Sequence, residues 1–137
     1  DGLGDSFKKH PAAISIHHNW IGGLLEHVLE ILRYCEISVE LFPELDQDLL
    51  FTGAILHDIG KIEEMETTSR IKGTNKGMFT GHILLGSLFV SKKMDELEMD
   101  EETKNKITTI NFLICIKLSR KFPLRIIHIS FNYASKG

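Results

Sequence analysis

The sequence predicts an all-α domain, and three stretches carry that prediction. From Leu24 to Phe42, the residues Leu24, Val28, Ile31, Leu32, Cys35, Val39 and Phe42 form one stripe at three- and four-residue spacing. Glu26, Glu30, Arg33, Glu36 and Glu40 take the opposite side. Asp46 to Ile59 runs without proline behind an aspartate suited to cap a helix. His82 to Leu97 returns to helical spacing, with Ile83, Leu84, Leu88 and Met94 as core positions and Lys92 and Lys93 facing water.

The elements follow in order. Residues 1–13 are polar and contain glycine, and they read as a linker ahead of a domain spanning 14–137. His17 and His18 stand beside Trp20, with two glycines ahead of the first long helix; a pocket wall and a chance cluster are equally open readings. Pro43 ends that helix. His27 lies on the shoulder of its apolar stripe, half-buried, and Cys35 lies inside the stripe as core packing. In the second helix Gly60 is the expected C′ residue. At about 100° per residue, His57 shares a face with Leu50, Gly53 and Ala54, two of them small enough to admit another helix. Asp58 points about 100° further round, but at a fraying helix end both side chains can turn to one point. Glu63 to Gly81 reads as a long polar loop of the kind that covers a site. Asp100 is the expected cap of the next helix. Beyond Lys106, residues 111–118 and 124–133 are rich in isoleucine and aromatics, and propensity there favours strand against the helical pattern of the rest.

Length and composition fit one soluble domain: 137 residues, 42% hydrophobic and 26% charged. Cys35 and Cys115 lie far apart with no C-x-x-C spacing, which argues against a disulfide framework or zinc knuckle and points to a reducing compartment. No apolar run reaches the ~18 residues of a membrane span. There is no signal pattern either, so no membrane contact and a cytoplasmic location are expected. Charge is uneven. Residues 1–102 hold all nineteen acids and nine of the sixteen Lys and Arg, whereas 103–137 hold seven basic residues and no acid. A basic end can meet a polyanion or simply offset the acidic remainder.

The chemistry centres on Leu56-His57-Asp58-Ile59-Gly60-Lys61. An imidazole nitrogen beside a carboxylate oxygen suits a divalent transition metal, and His27, His82 and Lys61 add to it. The residues alone leave two readings open, a metal site or structural histidines satisfied by hydrogen bonds. Lys61 likewise reads alone as a solvated helix-end lysine.

His27 followed by His57-Asp58 on successive helices resembles the HD superfamily of metal-dependent phosphohydrolases. The finer match runs from Ser15 through His17, His18, Gly22 and Gly23 to His27, then through Gly53 to Lys61 and on to Gly81-His82. It resembles the HD domain of YhaM-type 3′→5′ exoribonucleases, which in that family follows an oligonucleotide-binding domain. The resemblance implies an all-α HD helical bundle with His27, His57 and Asp58 as metal ligands. It implies His82 for a second metal or the phosphate, and Asp58 also as an aid to the attacking water. Lys61 would face the phosphate, with His17 and His18 on the substrate side. The cofactor implied is a divalent cation (Mn, Fe, Co, Ni or Zn), and the substrate RNA 3′ ends or nucleotides.

The chain departs from the family's closing motifs. No acid follows Glu102; Phe131 falls where the family's last aspartate stands, and Ile116-Lys117 where a His-His pair stands. His128 is a possible substitute ligand. Two functions follow: a metal-dependent phosphohydrolase, or an HD scaffold that has lost catalysis and serves as a binding or regulatory module.

Overall fold

A computed structural model describes residues 2–15 and 18–119, with side chains as far as Cys115. The order is α1 (Gly2–Lys9), α2 (Gly23–Leu41), α3 (Gln47–Leu56), α4 (Lys61–Glu64), β1 (Met65–Thr67), β2 (Ile71–Gly73), α5 (Asn75–Glu96) and α6 (Glu101–Ser119). The fold is helical, as its sequence predicts. The two strands form only a small antiparallel hairpin, with Met65 opposite Gly73. No described helix is long and apolar enough to cross a membrane.

Among the described residues, two adjoining cores hold the helices together. The stripe of α2 packs Ile31 and Cys35 against Leu50 and Ala54 of α3 and Ile110 and Ile114 of α6. Gly53 is small for the expected reason: a Cβ there would come within 2.8 Å of Ile114 and 2.9 Å of Ile110. The second core joins Ile59 to Val90 and Met94 of α5 and Ile107 of α6, with Phe7 of α1 against it. The stretch read as a polar linker thus contains a helix that contributes to this core.

The caps on α3 and α6 are as expected. Asp46 Oδ1 accepts from the Leu49 N–H at 2.9 Å, and Asp100 Oδ1 from the Thr103 N–H at 2.9 Å. Gly60 is a correction. It has an ordinary right-handed conformation (φ −65°) and leads into α4 instead of closing α3. Its need for no side chain is steric, since a Cβ would lie 2.0 Å from the His82 carbonyl oxygen and 2.4 Å from the Gly86 nitrogen.

The polar stretch 63–81 is not one loop. It forms the end of α4, the hairpin and the first turns of α5, capped by Thr74, whose hydroxyl accepts from the Gly77 N–H at 2.9 Å. Gly81 then breaks the helical path with φ 72° and ψ 154°, so α5 is kinked just before His82. Leu84 and Leu88, expected in the core, are 52% and 59% exposed, whereas Leu85, Val90 and Met94 are buried. Leucines lie on two faces of this helix, and the contact of Gly86 with the Ile59–Gly60 turn decides which face turns inward.

Residues 111–118, assigned to strand by propensity, continue α6 to Ser119. Packing of Ile107, Ile110 and Ile114 at helical spacing overrides the local preference of isoleucine. The segment 124–133, with His128 and Phe131, lies outside the described residues. Of the seven basic residues after 102, Lys104 is held by Asp95 and Glu101, and Lys106 by Glu102. These two offset neighbouring acids.

Candidate metal centre

Helix α3 ends at Leu56; His57, still in a right-handed helical conformation (φ −57°, ψ −33°), and Asp58 follow in the turn before α4. His57 is 3% exposed, and its Nδ1–H donates to the Ala54 carbonyl at 2.7 Å. That bond sets the tautomer and leaves Nε2 with a free lone pair. The Cys115 thiol of α6 donates to the His57 carbonyl at 2.9 Å, tying the turn to the helix beneath it.

His27, carried by α2, brings Nε2 to 3.3 Å from His57 Nε2 and 3.3 Å from Asp58 Oδ2. His57 Nε2 is 3.2 Å from the same oxygen. Metal–ligand bonds of about 2.1 Å put neighbouring donor atoms about 3.0 Å apart at octahedral angles and about 3.4 Å at tetrahedral ones. The three measured edges fall inside that span, so the donor set fits a divalent ion of the nitrogen- and oxygen-binding kind. Burial raises the pKa of the Asp58 carboxyl, but a hydrogen bond from His27, the adjacent His57 ring and the charge of Lys61 outweigh it and hold the group well below the usual range.

Lys61 Nζ, only 15% exposed, donates to Asp58 Oδ2 at 2.6 Å. His82 stands on the other side, Nε2 3.6 Å from Asp58 Oδ1, and is not part of the tight triad. Its backbone N–H and Nδ1–H both donate to Glu64 Oε1 at 3.0 Å. Burial works against ionisation of Glu64, but the bonds from His82 prevail and lower its pKa.

His18 has a left-handed backbone (φ 60°), and its ring lies 5.7 Å from that of His27 and 5.2 Å from that of Trp20. Its Nε2 is 3.2 Å from Glu30, and the Trp20 indole N–H donates to Glu26 at 2.9 Å. His18 with His27 and Glu30 forms a second, looser group able to hold a cation, and it is more exposed than the triad. His17 lies outside the described residues.

A family model of the HD domain matches residues 24–114, the stretch from the start of α2 into α6. The chain belongs to the HD domain family. Among curated relatives, this HD domain is 38% identical over 96 residues to the 3′-5′ exoribonuclease YhaM of Bacillus subtilis, covering 70% of this chain and 31% of that one. It is 40% identical over 97 residues to YhaM of Shouchella clausii, covering 71% of this chain and 30% of the relative. To YhaM of Listeria monocytogenes it is 40% identical over 98 residues, 72% of this chain and 31% of the other. The chain thus spans about a third of the length of these relatives. No solved structure matches it.

Two participants were missed in reading the HD domain from its sequence. Glu64 stands in a charged run with nothing to mark it as the partner of a histidine eighteen positions later. Cys115 stands in a segment read as strand, and only the packing of α6 under α3 brings its sulfur to the His57 carbonyl.

Proposed function

We propose that this HD domain hydrolyses phosphate esters with a divalent metal ion, acting on RNA 3′ ends or nucleotides. The supporting observation is the meeting of His27 Nε2, His57 Nε2 and Asp58 Oδ2 within 3.3 Å of one another. These three would hold the ion (Mn, Fe, Co, Ni or Zn by donor chemistry), with His82 at the edge for a second ion or for the phosphate. When bound, such an ion acts as a Lewis acid on the ester and screens its negative charge.

The other roles belong to the chain. Asp58 is ionised at neutral pH and would orient the attacking water while it helps to hold the ion. Lys61, beside it, neutralises charge that builds on the phosphate. Glu64 keeps the Nδ1 proton of His82 engaged, so that Nε2 faces Asp58 and the substrate side. His18, packed on His27, walls the same face, and His17 belongs to this substrate side in the proposal. The RNA reading rests on the names of the relatives. A separate oligonucleotide-binding domain or a second copy of the chain would extend the grip on a long substrate. A reducing, cytoplasmic setting fits the two free thiols.

The test is metal content of the purified protein, followed by hydrolysis of bis(p-nitrophenyl) phosphate with added Mn²⁺. Turnover that disappears in Asp58→Ala supports the enzyme. Bound metal without turnover favours the scaffold reading, and failure to bind any metal overturns the centre itself.

A further inference from the structure

Beside the centre lies a hollow of about 360 Å³, open to solvent and walled mainly by apolar atoms. Its volume is in the range of small-molecule sites. One end is polar, formed by Lys61 and His82, which flank opposite oxygens of Asp58, and by Glu64, whose carboxylate accepts from His82. The other end is apolar. Its floor is Gly73, where an added Cβ would lie 3.6 Å from Met78 and 3.8 Å from Ile14. Ala12 and Ala13 line it as well, so short side chains leave the space open. Met78 is 77% and Ile14 51% exposed, an apolar pair left in contact with water at the mouth of a charged site.

The two ends call for a ligand with two characters. Lys61 offers a cation to a phosphate, and the Glu64 carboxylate at the same end is engaged by His82. Met78 and Ile14 offer no hydrogen-bonding side chain to a sugar, but they suit a flat ring: a thioether is polarisable and favours aromatic contact, and a branched aliphatic chain covers a ring face. We infer that this hollow is a base subsite, taking the nucleobase of a nucleotide whose phosphate lies at Lys61 and His82. The inference rests on the phosphate-ester reading above and adds the place where the base of such a substrate sits. Single phosphorylated sugars lack the part that the apolar end binds.

The probes are adenosine 5′-monophosphate and ribose 5-phosphate, titrated calorimetrically into the full chain with Mn²⁺ present. The nucleotide is expected to bind about tenfold more tightly than the sugar phosphate. Gly73→Leu fills the floor and Met78→Asp puts charge on the wall; each is expected to reduce the preference to about twofold or less. Circular dichroism and metal content of the two variants report whether fold and centre are intact. Equal binding of the two probes, or a preference that survives Gly73→Leu, overturns the subsite while leaving the phosphate reading in place. Absence of binding by both probes overturns the two together. A base preference without any Mn²⁺-dependent hydrolysis supports the subsite and removes the catalytic reading alone.

Discussion

Glu64 Oε1 accepts two hydrogen bonds from one residue, the backbone N–H and the Nδ1–H of His82, each at 3.0 Å. The carboxylate thereby fixes both the start of the second half of α5 and the direction of its first imidazole. Glu64→Ala is expected to cost about 1–2 kcal/mol in urea unfolding, because two partly buried donors lose their acceptor. Hydrolysis of a generic diester should fall about tenfold, the usual effect of freeing an oriented site histidine. Glu64→Gln keeps an acceptor and should recover most of the stability. An unchanged rate in Glu64→Ala would mean that His82 has no part in the reaction.

Close approach at Gly60 predicts a larger loss. A methyl group there meets the backbone of His82 and Gly86, neither of which can swing aside. Gly60→Ala should destabilise the domain by about 3 kcal/mol or more in denaturant titration, with the midpoint shifted and the slope retained. Gly81→Ala meets no atom within 4 Å, and its smaller penalty of about 1–3 kcal/mol comes from the left-handed φ alone. A Gly60→Ala protein with the parent's midpoint would contradict the packing of the α3–α4 turn on α5.

Ion binding at the triad predicts linkage to stability. Mn²⁺ at about one hundred times its dissociation constant should stabilise the fold by about 2.7 kcal/mol, and a chelator should remove the gain. In Asp58→Ala the melting temperature should no longer respond to either addition. A response that persists in the variant would place the ion elsewhere.

The depressed pKa of Asp58 has a definite sign in acid. A carboxyl whose pKa is lower folded than unfolded contributes stability in full above the usual value of 3.8, and that contribution is lost as pH falls through the folded value. Without metal, the stability difference between the parent and Asp58→Asn should therefore narrow as pH falls below about 4. Unfolding curves at several pH values measure it. A difference that widens in acid would reverse the sign and rule out the hydrogen-bonded carboxylate.

Burial pushes the Cys35 thiol up to about 11 and the Cys115 thiol up to about 12. At pH 8 neither is appreciably a thiolate, so iodoacetamide should leave both unmodified in the folded protein and label both in urea, as read by mass spectrometry. Labelling of native Cys115 would show that α6 does not seal the turn at His57.

The HD domain's long helices and the Asp46 and Asp100 caps were legible in the chain itself, whereas the grouping of His27 with His57-Asp58 was implied by the resemblance to the HD superfamily. The helices and caps rest on local spacing: an apolar stripe repeats every three or four residues, and a cap lies three residues before the N–H it serves. Tertiary structure decided the rest. Packing beneath α3 made α6 a helix where isoleucines favour strand, and the Gly86–Gly60 contact turned Leu85 inward instead of Leu84. It also brought Glu64 to His82 and Cys115 to His57. In each case the deciding neighbour is distant in sequence, and its free energy of contact exceeds the small local preferences that a sequence displays.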